Sequence, residues 1–372
     1  MNNRERTREK KKENIFYLCT LMDEKITIFD VARLAGVSKG TVDRVLHNRG
    51  EVSEKTTRKV LKAIEDLKYE PNLYASLLAT KTPHVVACLL PEFQEGEYWG
   101  MLNRGIIAGG EQVASLNIKT VVFYYDQYDA ASFRKACDEL LAINPAGVVL
   151  PPLFSSDTMV LTRKLVERGI PYVYVDSKLE EDDYFAYYGM PMYKSGTLSA
   201  ALLTERCDES MLQEMAAIRI NRDKLGQSDP TVERRAGFMD YIKSHFPGCQ
   251  VHSVFINPSD PGETYRTLDD FFRSHPGIRH IVVLSSRVHL ISRYVQDHPV
   301  KGRRIIAFDN LEKNVSMLRD GQVEILISQH TENQARYAVA TLADYILLRK
   351  FPARRDNYMH MDILTRYNME DY

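Results

Sequence analysis

Hydrophobic residues recur along this chain with two different periods, and the change between them falls near residue 84. Before that point the spacing is helical. Two short amphipathic runs, 28–34 and 39–46, flank Ala35-Gly36-Val37-Ser38. Thr27 with Asp30 three residues on makes a capping-box-like start, Gly36 suits a left-handed residue ending the first run, and Ser38 can cap the second. Val31, Ala35, Val37, Val42 and Val45 then face one another as a small core, leaving Lys39, Gly40, Thr41 and Arg44 outward. The pattern predicts a helix-turn-helix, whose second helix lays its first residues against base edges in the major groove. Ser53 starts a third helix carrying Val60, Leu61, Ile64 and Leu67. The apolar piece 73–79 spans only about two turns, too short to be stable alone, so it needs a copy of itself or a ligand to pack on.

Beyond residue 84 short apolar runs of buried parallel-strand type alternate with helical patterns. Strands are expected at 85–90, 119–124, 147–150 and 172–175, with helices at 98–116, 131–141 and near 157–168. A second series places helices at 194–203, 234–245, 264–274 and 288–296, and strands at 215–220, 250–255, 280–284, 304–308 and 323–327. A long helix, 333–348, and an extended stretch, 358–365, close the pattern. The cycle is that of doubly wound α/β folding, repeated in two lobes with a late return crossing and a cleft between them.

Composition narrows the partners. The 372 residues exceed one ordinary core, with 44% hydrophobic and 27% charged residues and a net charge of −1. Nucleic acid would therefore be met by a local patch. Cys19, Cys88, Cys137, Cys207 and Cys249 are odd in number, dispersed and without a C-x-x-C, which argues against a disulfide framework or a structural zinc site and fits a reducing compartment. No run approaches the roughly 20 apolar residues of a membrane span. The basic segment 4–12 and apolar 15–21 make a poor signal peptide, and Met22 offers an alternative start, so no export is expected. No nucleophile–base motif, Gly-rich phosphate loop or metal-ligand spacing stands out, so an enzyme is not expected, nor a cofactor or a metal.

The stretch TIFDVARLAGVSKGTVDRVL…VSEKTTRKVLKAIEDLKYEPN resembles the DNA-binding headpiece of LacI/GalR-type transcriptional regulators. EYWGMLNRGI, VYVDS, ERRAGF, IIAFD and LISQ, in that order, resemble landmarks of the family's periplasmic-binding-protein-like effector domain. The resemblance implies an all-α helix-turn-helix headpiece with a hinge helix, followed by a two-lobed α/β type I periplasmic-binding-protein-like domain. The expected organisation is a basic tail (1–22), headpiece (23–70), hinge helix and linker (71–82), and an effector-binding and dimerisation domain (83–366). In that domain lobe one takes about 83–189 and 330–350, and lobe two about 190–327 and 352–366.

Carried over residue by residue, the resemblance puts Lys39 and Gly40 at bases, Thr41 on phosphate, and Arg44 at a base or phosphate. His47 and Asn48 touch the DNA backbone or merely belong to the loop. Leu78 aligns with the leucine wedged into a minor-groove step, or else packs a linker. Asp43, where the family more often has Ser, either meets the DNA or sits on a solvated face. In the effector domain the resemblance implies Tyr98 and Trp99 as rings against a sugar, although Trp99 could equally be a core aromatic. Asp176, Asp309, Arg234 and Gln329 supply donors and acceptors for vicinal hydroxyls. Arg287 stands in Ser285-Ser286-Arg287, where the family often has Asn-Asp, and would suit an acidic group. The partners implied are operator DNA, a sugar, polyol or sugar acid, and a second copy of the chain, in the cytoplasm and away from membranes. An exported sugar-binding protein of a transporter is the rival reading.

Overall fold

The computed structural model describes residues 26–46, 52–69, 82–180, 182–205, 207–208, 212–220 and 231–369. Residues 1–22, the hinge piece 73–79 with Leu78, and His47 and Asn48 lie outside the described residues. The chain divides into two compact units between Thr80 and Lys81.

In the first unit, α1 (Ile28–Ala35), α2 (Lys39–Leu46) and α3 (Glu54–Leu67) pack around one small core. The start of α1 is fixed by Asp30: the Thr27 backbone N–H and hydroxyl donate to its Oδ2 at 3.0 and 2.7 Å. Gly36 ends the helix at φ +66°, where a Cβ would be strained, and the Val37 N–H returns to the Ala32 carbonyl at 3.0 Å. Ser38 Oγ accepts from the Thr41 N–H at 3.2 Å and caps α2. Val31, Val42 and Val60 are fully buried, each worth roughly 1.5–3 kcal/mol of apolar transfer. Val37 and Val45 pack against them, as the periodicity requires.

The second unit is built on two six-stranded sheets. The first contains β1 (His84–Pro91), β2 (Ile118–Tyr125), β3 (Gly147–Leu150), β4 (Tyr172–Asp176) and β5 (Ala186–Gly189). The second contains β6 (Glu214–Ile220), β7 (Gln250–Ile256), β8 (His280–Val283), β9 (Arg304–Phe308) and β10 (Ile325–Ser328). Two short terminal strands, β11 (Asp356–Tyr358) and β12 (Asp362–Leu364), complete one sheet each. The strand orders β2-β1-β3-β4-β5-β11 and β7-β6-β8-β9-β10-β12 are the same winding used twice. All pairs are parallel except β10 with β12. Strands buried on both faces read as unbroken apolar runs because each face meets its own core. Val86, Cys88 and Leu90 enter one core and Ala87 and Leu89 another; Ala216 and Ile218 likewise oppose Met215 and Ala217.

Helices α4 (Tyr98–Ala114), α5 (Ala130–Ala142) and α6 (Ser155–Glu167) serve the first sheet. The second is served by α7 (Met192–Thr204), α8 (Thr231–His245), α9 (Pro261–Ser274), α10 (Ser292–Asp297) and α11 (Glu312–Arg319). The long α12 (Thr331–Leu348) returns to the first lobe, where Ala335, Ala338, Val339 and Leu342 join its core.

Besides shifted ends, the structure departs from the sequence pattern in four places, the first being β5, whose four residues Ala186–Gly189 are too few and too rich in tyrosine to read as an apolar run. The extended stretch expected over 358–365 is two strands: β11 pairs with β5 in the first sheet, so 356–358 belongs to lobe one rather than to the 352–366 piece of lobe two. The predicted helix 288–296 is a 3-10 turn, Val288–Ile291, followed by α10. Helix α11 is not in the predicted pattern, because polar Asn314 occupies a fully buried position on it and interrupts the apolar period.

Candidate functional site

Both sheets end their fourth strand in an aspartate with left-handed backbone: Asp176 at φ +68° closing β4, and Asp309 at φ +67° following β9. Asp tolerates this region better than most residues, and ligands of open α/β sheets gather at these carboxyl ends. Each turn is held by buried amides. Gln334 Oε1 accepts from the Asp176 N–H at 3.0 Å, and the Tyr187 hydroxyl donates to the Asp176 carbonyl at 3.0 Å. Asn314 Nδ2 donates to the carbonyls of Ser286 and Asp309 at 2.8 and 3.1 Å.

Between the aspartates runs a chain of hydrogen bonds that joins the lobes. The Tyr98 hydroxyl donates to Asp176 Oδ1 at 2.5 Å. Gln329, on the crossover after β10, points Nε2 at Tyr98 Oη (3.2 Å) and at Asp309 Oδ1 (2.8 Å). Burial pushes the Tyr98 phenol well above its ordinary range. Burial also raises the Asp309 carboxyl to about 7, against the opposing pull of Arg234 and the Gln329 hydrogen bond.

Arg234 is 4% exposed. Its Nε donates to Ser195 Oγ at 3.0 Å and its Nη1 to the Leu284 carbonyl at 2.7 Å. Its guanidinium lies 3.8 Å from the Phe308 ring centroid. Among the described residues Nη2 meets only the thioether sulfurs of Met192 and Met190, at 3.3 and 3.6 Å, which are weak acceptors. Desolvation lowers its pKa, while Asp309 and Asp176 favour its charge. The RRAGF glycine explains how this residue is placed: a Cβ on Gly237 would lie 1.9 Å from the Tyr193 carbonyl, and one on Gly196 1.7 Å from that of Arg234. Only glycines at both positions let α7 and α8 approach so closely.

Tyr98, Asp176, Arg234, Asp309 and Gln329 are therefore brought together as expected from the sequence. Trp99 is not placed as a ring against a sugar. It is 5% exposed within the core of lobe one, with its indole N–H directed at Gln127 Oε1 (3.3 Å). A helix period separates neighbours by about 100°, so with Tyr98 turned to Asp176 the Trp99 ring is carried toward the core of lobe one. Arg287 reaches from lobe two to Tyr128 Oη at 3.2 Å and Gln127 Oε1 at 3.4 Å in lobe one. Gln334, Asn314, Ser195 and the two methionines were missed, since nothing in their local spacing marks them. A cavity of about 650 Å³ opens beside this cluster, lined among others by Lys178, Tyr187, Met190, Met192 and Tyr193. The polar groups themselves are closed on one another, so the space lies next to them.

On the headpiece, Lys39, Gly40 and Arg44 are exposed and Thr41 half-buried. A side chain at Gly40 would meet nothing closer than Ser38 Oγ at 3.9 Å. Lys39 Nζ sits 5.0 Å from the Phe29 ring centroid, and Arg44 Nε folds back on the Gly40 carbonyl at 3.2 Å.

Residues 86–350 match the periplasmic binding protein domain, and residues 27–72 the model of bacterial regulatory proteins of the lacI family. A Bacteroides fragilis structure described as a LacI transcriptional regulator superposes with TM-score 0.73 at 33% identity, covering 78% of this chain and all of that one. The chain belongs to the LacI family. Two curated relatives are also similar. The transcriptional regulator MalR of Streptococcus pneumoniae is 39% identical over 154 residues, 41% of this chain and 46% of MalR. The ribose operon repressor of Halalkalibacterium halodurans is 27% identical over 294 residues, 77% of this chain and 80% of the repressor. The matched stretch thus spans about half of MalR's length. Both relatives are transcriptional regulators, and no described helix is long and apolar enough to cross a membrane.

Proposed function

We propose that this LacI-family chain is a sequence-specific DNA-binding transcription regulator, working as an intracellular homodimer, whose operator affinity is set by a small sugar or polyol held between the lobes. The observation that carries the effector half is the buried Arg234, whose Nη2 among the described residues touches only sulfurs, while Asp309 and Asp176 favour its charge. Such a group is a donor held ready for a ligand oxygen, and Asp176, Asp309 and Gln329 supply the acceptors and donors that vicinal hydroxyls need. The DNA half rests on a capped second helix bearing Lys39, Gly40, Thr41 and Arg44; the same reading assigns His47 and Asn48 to the DNA backbone and Leu78 to a minor-groove step. The effector acts only through its different affinity for two arrangements of the lobes. A transporter's binding protein is not favoured, because residues 27–72 match the regulatory headpiece.

A gel shift against the DNA upstream of the protein's own gene, at stated salt, tests the first half. A specific shift weakened by Lys39→Ala supports the reading, and no sequence-specific shift with or without a sugar panel overturns it. A thermal-shift screen tests the second half: a ligand at 100 times its Kd adds roughly 2.7 kcal/mol. One observation favours a sugar acid within that panel. Among the described residues Arg287 has neutral partners and no ion pair, leaving its charge to an anionic ligand. Arg287→Gln then abolishes the preference for the acid over the neutral sugar.

A further inference from the structure

We propose that Glu214, His252 and His275 form a site for a divalent transition-metal ion, zinc foremost, in the second lobe and toward the opposite end of its sheet from Asp309. Glu214 opens β6 and His252 is the third residue of β7. In the parallel register Glu214 faces Gln250 and Ala216 faces His252, so the two-residue period puts both side chains on one face of the sheet. His275 follows α9, the helix that covers that face, and its ring centroid lies 4.3 Å from that of His252.

One ligand atom from each of the three residues lies within 4.8 Å of the other two. His275 Nδ1 is 3.0 Å from the Phe271 carbonyl, which can only accept, so the proton is on Nδ1 and the lone pair on Nε2. A carbonyl behind a histidine in this way is the usual orienting partner of a metal-binding imidazole. His252 Nε2 is buried, makes no hydrogen bond, and stands 3.3 Å from Glu214 Oε2. Zinc held tetrahedrally at about 2.0–2.1 Å separates its ligand atoms by about 3.3 Å, so one edge of that tetrahedron is already formed. The rest requires a contraction of at most about 1.5 Å from the 4.8 Å limit. The His252 and Glu214 side chains are 16% and 31% exposed, which leaves a path for the ion and a water as fourth ligand. Two imidazoles and one carboxylate suit zinc, nickel or copper, and not magnesium or calcium.

The full-length chain, stripped with a chelator, would be titrated with Co2+ as a spectroscopic probe and with Zn2+ against a chromogenic chelator. We expect one equivalent bound, with visible d–d bands and no thiolate-to-cobalt charge transfer. His275→Gln should abolish binding, and the nearly isosteric Glu214→Gln should weaken it at least tenfold with the fold unchanged. Unaltered affinity in Glu214→Gln, or no saturable binding in the wild type, overturns the site and leaves an ordinary Glu–His pair. A thiolate band overturns it too, pointing instead to Cys207, whose Sγ lies 3.2 Å from His280 Nε2 in the same lobe.

Discussion

The two lobes present the same strand order and the same left-handed aspartate, yet the two carboxylates are held differently. Asp176 receives the hydroxyl of Tyr98, a residue of its own lobe. Asp309 receives Gln329 from the crossover and faces the buried guanidinium of Arg234. Repetition of a fold therefore supplies equivalent positions, and the side chains packed around each one decide its chemistry. One carboxylate is hydrogen-bonded from within its own lobe. The other is held by the crossover residue Gln329 and by the buried Arg234.

Removing Arg234 should break the comparison most severely. Arg234→Ala leaves Asp309 buried without its cation and should cost about 3–5 kcal/mol in urea unfolding. Effector uptake should fall below detection in titration calorimetry; retention of both would refute the role given to this side chain. The next effect is on pH. Asp309 holds its proton up to about 7 in the folded chain and releases it near the ordinary 3.8 when unfolded. The native state therefore binds more protons between those values, and stability falls as pH rises through that window, by up to about 1.4 kcal/mol per pH unit, then levels off. Asp309→Asn should flatten this slope. Asp176→Asn should shift its upper limit downward, because the Asp176 charge helps to raise Asp309. Urea melts at a series of pH values distinguish these outcomes.

Tyr98→Phe removes the hydrogen bond at Asp176 and the stop for Gln329 Nε2, and should cost about 1.5 kcal/mol. An equal loss in an Asp176→Asn background would show that the two do not act as one pair. The smallest effect is expected from Arg287→Gln. Its contacts with Gln127 and Tyr128 lie at the cleft rim, so stability should change by under about 1 kcal/mol. Small-angle scattering should then show a more open effector domain, and an unchanged profile would count against a latch at this position.

The headpiece was legible in the sequence almost residue for residue. Its caps at Thr27, Gly36 and Ser38 and its core at Val31, Ala35 and Val42 are local features, set by neighbours three or four positions away. The winding of the two sheets was legible for a similar reason, since apolar runs of strand length report burial on both faces. The polar scaffold was not. Gln334, Asn314 and Ser195 hold Asp176, Asp309 and Arg234 across separations of 158, 5 and 39 residues. Even the short separation was hidden, because a buried Asn on a helix reads as a break in its period.

By itself, then, the sequence determined most of the helices and strands, the family they belong to, and the five cleft residues Tyr98, Asp176, Arg234, Asp309 and Gln329. It also suggested Trp99 as a ligand-facing ring and gave no hint of metal-ligand spacing. Only the tertiary structure turned Trp99 into the core and Tyr98 toward the cleft, split the last extended stretch between the two sheets, and brought Glu214, His252 and His275 together. The reason is one of range. Periodicity and caps are written in the order of neighbouring residues, whereas hydrogen-bond partners, ligand sets and the burial of a single ring depend on which distant segments the packing of sheets and helices places side by side.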